Sequence, residues 1–350
     1  MSDEPRRPTA VPEPPAADDV VEAAATLDGY RRATTDAGVV DRSASGKLAL
    51  TGADAAEFLA GQVTADTVAL GPGEGAYAAL LTPKGKIVTD LRVLAAGDEL
   101  LILCERSGLQ ALFTHLRRHL IGFDVELHKR TLERGLLSIV GPRAGTVAAA
   151  VAGGVAPGSG EHDHVAATVE GRPVRLVRTD VGVDVLCDAA DTDDVAAALE
   201  RSGARPIPEA TAEILRVEHG RPRLHHDMDD ATMPAEAGIV ERAVSFTKGC
   251  YIGQETVARL HWRGRPNRHL RGLRLERPVD VGTVLVDDGR EVGRVTSVVT
   301  SPRHGPIALA LVRREVEPGA TVSARPVGEQ PVAAAVTALP FAASGGRAPA

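Results

Sequence analysis

Lys248-Gly249-Cys250-Tyr251-Ile252-Gly253-Gln254-Glu255 sets a cysteine between two glycines, with a lysine before it and an amide and a carboxylate after it. Glycines on both sides let a backbone turn with positive φ or approach a neighbour closely, so the thiol can be presented rather than buried. The plainer reading is a small buried hydrophobe, the default role of a free cysteine. A reactive thiol needs an exposed, electropositive setting. The chemistry of the octapeptide leaves both readings open.

Around it lies a chain of 350 residues, more than one ordinary core holds, which implies two or three domains. A net charge of −7 argues against a general nucleic-acid binder, which carries a basic face. The 3 cysteines, Cys104, Cys187 and Cys250, are odd in number, far apart and without a CxxC pair. That pattern fits a reducing compartment and excludes a disulfide framework. It also lacks the clustered thiolates that hold an iron–sulfur cluster within one chain. No apolar run is long enough for a membrane helix. Prolines and acids follow Arg6 and Arg7 where a signal peptide needs its apolar stretch, so a cytoplasmic protein without membrane contact is expected.

Residues 1–18, with five prolines among acids and alanines, read as a disordered tail, and 339–350 as a second one. Between them, strands are expected at Gly46–Leu50, Tyr77–Leu81, Ile87–Leu94, Glu99–Cys104, Val125–Lys129 and Leu136–Val140. Thr82 to Lys86 reads as a hairpin turn. Helices are expected at Asp54–Gln62 and Gly108–His119. The Ala- and Gly-rich run Ala148–Gly160 reads as a loop or short helix joining two lobes. A hairpin follows over His164–Arg178, then a strand at Val181–Leu186 and helices at Thr192–Arg201 and Glu209–His219. From residue 268 to 338, short β-branched runs spaced by Gly and Asp-Gly turns suggest a small antiparallel barrel. The class is α+β, with a separate C-terminal β-barrel after a body spanning 19–265.

Leu215-Arg216-Val217-Glu218-His219-Gly220-Arg221-Pro222 leads into Thr232-Met233-Pro234-Ala235-Glu236-Ala237-Gly238 and then the octapeptide. In that order the segments resemble the folate-binding core of the glycine-cleavage T-protein (aminomethyltransferase) superfamily. The octapeptide with its cysteine is similar to the mark of one branch, the YgfZ-type folate-binding proteins, implicated in maturation or repair of iron–sulfur enzymes and in tRNA modification that depends on them. Asp41-Arg42-Ser43, Gly85 to Asp90, Val292 to Ser297 and Ala308-Leu309-Ala310 extend the resemblance through both lobes and the barrel. It implies two interleaved lobes over 19–265 and a barrel, arranged as a ring with tetrahydrofolate or a derivative in the central hole.

The resemblance also implies roles. Asp184 matches the pterin-reading glutamate, one methylene shorter; a carboxylate accepts two pterin donors side by side. On composition alone, Asp184 is an acid on the solvent face of a strand. Asp90 lies beside the catalytic aspartate position, where a carboxylate holds or stabilises a proton; a turn cap or a pair with Arg92 is the plainer reading. Thr89 stands where the transferase commonly has a second acid, which argues against aminomethyl transfer. Cys250 is the expected functional thiol, and Lys248 the cation that activates it. Gly249, Tyr251, Gly253, Gln254 and Glu255 are expected to wall the folate cavity, and Arg216 is placed with them, although a structural role is its plainer reading. Glu218 and Glu236 are expected to be structural.

Arg259, His261, Arg263, Arg265, Arg268, His269 and Arg271 are locally basic. A solvated linker is the plain reading of that stretch. It leaves open a cavity mouth for a folate polyglutamate tail, or a weak tRNA contact through 259–271. His219, His225, His226 and Asp227 lack the spacing of a zinc site, and no metal is expected. The expected function is that of a folate-binding accessory to iron–sulfur enzymes or their assembly proteins; the alternative is tetrahydrofolate-dependent aminomethyl transfer.

Overall fold

The computed structural model describes residues 17–342. Helix α1 (Ala17–Thr35) leads into strand β1 (Gly38–Asp41). The chain then crosses to a second lobe, made of β2 (Gly46–Thr51), α2 (Ala55–Gln62), β3 (Gly75–Leu81), β4 (Ile87–Ala95), β5 (Glu99–Cys104), α3 (Leu109–His119) and β6 (Glu126–Lys129). It crosses back for β7 (Arg134–Val140), α4 (Ala144–Val151), β8 (His164–Val169), β9 (Arg172–Arg178), β10 (Gly182–Asp188), α5 (Thr192–Arg201), the short β11 (Arg205–Pro206) and α6 (Glu209–Glu218). Helices α7 (Val240–Ala243) and α8 (Gln254–Arg263) follow. The chain closes with β12 (Arg268–Leu275), β13 (Val284–Asp287), β14 (Arg290–Ser301), β15 (Gly305–Arg313), β16 (Thr321–Arg325) and β17 (Val332–Thr337).

Three sheets result. The first lobe has the order β11-β1-β7-β10-β9-β8, the second β3-β4-β5-β2-β6, and the last six strands close into an antiparallel barrel, β12-β15-β14-β13-β16-β17. The lobes are interleaved because the second is inserted between β1 and β7, and residues from Leu224 to Val257 return to pack on it beside Leu81 and Ile87.

Each lobe sheet is apolar on both faces for most of its length, as a sheet covered on both sides must be. Alternation along the strands divides the work. In β5, Leu100, Ile102 and Cys104 face helices α2 and α3, while Leu101 and Leu103 face the other sheet. In the first lobe, Val183, Val185 and Cys187 of β10 join the core under α4 and α5, and Leu186 meets Leu101 and Leu103 across the interface. The two inner faces therefore pack as leucine on leucine. At one end of the same strands the inner positions become polar, and the site lies there.

The hairpin tip between β8 and β9 is Glu170-Gly171, both at positive φ (48° and 84°), the backbone of a two-residue type I′ turn. Helix α6 is buried on most of its circumference, at Thr211, Ala212, Ile214, Leu215, Val217 and Glu218, because α1, the first lobe and barrel strands β14 and β15 all pack on it.

Several expectations need correction. The run Ala148–Gly160 does not join the lobes: α4 and the strands after it belong to one sheet, and the crossings are at 42–45 and 130–133. Its first small residues serve packing, since Ala148 and Ala152 lie buried in the core that β10 shares. The stretch after the octapeptide begins as helix α8 rather than a linker. Helix α1 starts inside the expected N-terminal tail. Phe341, placed in the C-terminal tail, is buried against Val217, Leu270, Ile307 and Leu309. The remaining tail residues, 1–16 and 343–350, lie outside the described residues.

Candidate functional site

A cavity of about 540 Å³ opens where the inner faces of the two lobes turn polar. Alternation puts Asp90 and Arg92 of β4 on one wall, opposite Ser138 of β7 and Asp184 of β10. Asp184 pairs in register with Ser138, so their side chains rise together from the same face. Ser138 Oγ donates to Asp184 Oδ1 at 2.6 Å. Arg92 Nη1 crosses from the second lobe to Asp184 Oδ2, also at 2.6 Å, with the two side chains 22% and 6% exposed. Each oxygen of a carboxylate accepts more than one hydrogen bond, so Asp184 is fixed in place and still has lone pairs for a ligand.

Asp90 does not pair with Arg92; the two are neighbours on one strand face, and Arg92 is spent on Asp184. Tyr77 Oη donates to Asp90 Oδ2 at 2.9 Å. Oδ1 of Asp90 has no hydrogen-bond partner among the described residues. Burial pushes the Asp90 carboxyl up from 3.8 to about 6, against the opposing Tyr77 hydrogen bond. The Tyr77 hydroxyl is pushed well above the ordinary phenol range by burial and then by Asp90. Asp90 is thus a carboxyl that can hold a proton near neutrality in a cavity wall.

This shift fixes a pH dependence. Between 3.8 and about 6 the folded state binds the Asp90 proton more tightly than the unfolded chain, so stability from this group is present at low pH and lost as pH rises through that window. Asp90→Asn, neutral at every pH, is expected to gain about 2 kcal/mol at pH 8, after a discount for water in the cavity. The gain should shrink towards zero near pH 4. Urea unfolding of both proteins across that range measures it; a gain independent of pH would refute the assignment.

The rest of the wall is charged and mutually paired. Arg242 of α7 binds Glu161 and lies over the Tyr77 ring at 4.9 Å, which ties the second lobe to the loop before β8. Arg221 binds Asp180 at 2.6 Å. Arg216 lines the cavity, yet every guanidinium N–H is taken: Glu213 receives two, and Asp227, Ser297 and the Arg221 carbonyl one each. It has nothing left to offer a ligand. In place of a folate contact, Arg216 ties α6 to the barrel, the structural role that was its plainer reading. Cys104 also lines the cavity, but burial, then Asp90, pushes its thiol up to about 12.

None of the octapeptide residues lines this cavity. The segment packs on the outer end of the second lobe. Lys248 Nζ donates to three carbonyls at the end of α2, those of Ala60, Val63 and Ala65. Its N–H groups are all used there, so Lys248 is a staple and has no N–H left to donate to the thiol. Tyr251 is buried with Leu81, Ile87, Met228 and Val257, its ring 5.0 Å from the Lys248 ammonium. Gly253 has φ 86° and starts α8; a side chain there would meet the Thr82 carbonyl at 2.6 Å. The close approach foreseen for a glycine is real, but its target is the β3–β4 turn. Gln254 and Glu255 form the first turn of α8, with Glu255 bound to Arg259 at the surface. Gly249 and Cys250 are exposed. Of the residues expected to form one site, Asp90, Asp184 and Arg216 share the cavity, and the other seven lie together outside it.

Sequence reasoning missed Arg92 as the partner of Asp184, along with Ser138, Tyr77, Glu161, His162 and Arg242. For Arg92 a signal exists: Asp90 and Arg92 are charged positions two apart in an otherwise uncharged strand. Among the described residues, no group of His, Cys, Asp and Glu could hold a metal ion. No helix there is long and apolar enough to cross a membrane.

Comparison with known proteins places this architecture. Residues 15–248 match the GCVT N-terminal domain, and residues 268–342 match the glycine cleavage T-protein C-terminal barrel domain. An aminomethyltransferase of Rubrobacter xylanophilus is 31% identical over 320 residues, covering 88% of this chain and 83% of the relative. One from Thermus thermophilus is 30% identical over 315 residues, with coverages of 87% and 86%. The crystal structure of the glycine cleavage system aminomethyltransferase T from Bartonella henselae superposes with a TM-score of 0.80 at 26% identity, over 91% of this chain and 89% of that one. In sequence, in lobe topology and in its closing barrel, the chain belongs to the glycine cleavage T-protein family.

Proposed function

We propose that the chain binds tetrahydrofolate, or a derivative of it, in the inter-lobe cavity and serves as an accessory to iron–sulfur enzymes, those that modify tRNA included. The observation that carries the folate reading is Asp184, a carboxylate held by Ser138 and Arg92 with lone pairs free to face the cavity. A pterin edge offers two adjacent donors, which such a carboxylate matches. The volume of about 540 Å³ is that of a pocket for a small organic ligand. Arg106, exposed at the lining, suits a glutamate tail.

The accessory reading is supported by the position of Cys250. The thiol is exposed, carried on a segment stapled by Lys248, and outside the cavity. A macromolecule can reach it while a folate occupies the lobes. Any contact with a cluster is shared with the partner, because this chain supplies one cysteine there. A weak tRNA contact through 259–271 belongs to the same proposal, since Arg263 and Arg265 are exposed beside Trp262, itself 70% exposed. Cys250→Ser is expected to bind tetrahydrofolate as the wild type does and to lose rescue of an iron–sulfur enzyme in a deletion strain. Full rescue by that variant would sink the thiol's role.

A second reading, aminomethyl transfer to tetrahydrofolate, is favoured by Asp90 and by the names of the relatives. Its test is ammonia release from an aminomethylated lipoyl carrier, with Asp90→Asn as the inactive control.

A further inference from the structure

The cavity wall contains a second buried group without a partner. His162 is 4% exposed, and neither ring nitrogen has a hydrogen-bond partner among the described residues. The Glu161 carboxylate, 3.6 Å from Nε2, is already engaged by Arg242. His164, two residues on and equally buried, behaves as a structural histidine does: Nε2 meets the Glu74 carbonyl at 3.2 Å, and Nδ1 accepts from Arg175 at 2.9 Å. His162 spends nothing on the protein. Buried polar groups are nearly always paired, and an exception calls for an explanation.

Its backbone is built to hold it there. His162 has φ 73°, a left-handed conformation that persists in a non-glycine residue where the surroundings impose it. They do so from both lobes: His162 N donates to the Arg178 carbonyl, and His164 N donates to the Gly73 carbonyl. The ring is thereby fixed in the wall that also carries Asp184 and Arg92. Burial, then the Arg92 guanidinium, push its pKa below the usual imidazole range. A neutral imidazole has one donor and one acceptor. Next to the two donors that a pterin offers a carboxylate stands its ring oxygen, an acceptor that needs a donor.

We infer that His162 is a ligand-reading residue whose imidazole donates to the ring carbonyl of the heterocycle that Asp184 holds. The inference rests on the folate reading above. It also explains why a histidine is kept unpaired at a positive φ: the partner it was built for arrives with the ligand.

Calorimetric titration of tetrahydrofolate into the wild type, Asp184→Ala, His162→Asn and His162→Gly tests it, with thermal melts of each. Gly and Asn both accept positive φ, so the backbone is spared. His162→Gly should bind about tenfold more weakly, the worth of one good hydrogen bond, and added imidazole should restore part of the loss. His162→Asn should lose less. Wild-type affinity in His162→Gly, or a loss that follows melting temperature and is untouched by imidazole, overturns the role of His162 and leaves the folate reading standing. A wild type that takes up no tetrahydrofolate overturns the folate reading, and this inference with it.

Discussion

Asp184→Ala is expected to abolish saturable tetrahydrofolate binding and to destabilise the fold by about 3 kcal/mol, the range for leaving a buried charge without its partner. Both effects follow from one position. The carboxylate is 6% exposed, and its removal strands the Arg92 guanidinium in the cavity wall. It also takes away the acceptor of the Ser138 hydroxyl on the neighbouring strand. A stability loss alone would not establish a binding role, so the two need separating.

Arg92→Leu in the Asp184→Ala background does so. Removing both members of a buried pair costs much less than removing one, so the double variant should recover most of the stability and none of the binding. Asp184→Asn keeps the Ser138 hydrogen bond and one acceptor, but it cannot accept two donors side by side. It should be more stable than Asp184→Ala and still bind poorly. Urea unfolding and calorimetry on the same preparations give both readouts. Unchanged affinity in Asp184→Ala would refute the pterin-reading assignment.

The local order of the chain was legible because it is written in short-range patterns. Alternation in β4 and β5, the turn at Thr82 to Lys86 and the amphipathic period of α5 each fall within a dozen residues. What escaped is long-range. Arg92 and Asp184 lie 92 residues apart, and nothing local marks them as partners. The lobe crossings at 42–45 and 130–133 carry no Gly- or Pro-rich signature, whereas the Ala- and Gly-rich run that looked like a linker is the end of helix α4 and a loop within one lobe. The octapeptide shows the same division. Of its two glycines Gly253 makes the expected close approach and Gly249 meets nothing, and the object approached, the Thr82 carbonyl, sits some 170 residues upstream. Lys248 looked like an activator of Cys250 because it is near in sequence; its three carbonyl partners are 183 to 188 residues away. Family resemblance identified Asp90 and Asp184, which share the cavity. It could not say that the cysteine segment faces elsewhere. His162 gave no warning, since an unpaired histidine is defined only by the partners it lacks.

One member of the cluster set aside as a non-metal site, Asp227, ties the barrel to the lobes. Asp227 has a side chain 0% exposed and receives Arg216 Nη1 at 2.6 Å, Thr296 Oγ1 at 2.5 Å, Ser297 Oγ at 2.8 Å and the Arg223 amide at 3.1 Å. These donors come from α6, from the loop after it and from barrel strand β14. One carboxylate therefore docks the barrel on the lobes and holds α6, whose Arg216 forms part of the cavity wall. Asp227→Ala is expected to cost about 3 kcal/mol, since it leaves the buried Ser297 hydroxyl without its acceptor and takes from Arg216 one of its two carboxylates, Glu213 remaining. The barrel should loosen first, seen as faster tryptic cleavage at the arginines from 259 to 271, and folate affinity should fall with it because the α6 wall is no longer held. Arg216→Met combined with Asp227→Ala should cost far less than the sum of the two changes, as members of one network are not additive. Additive losses, or an Asp227→Ala barrel as resistant to trypsin as the wild type, would show that apolar contacts such as Val217 with Leu309, and not this carboxylate, hold the barrel in place.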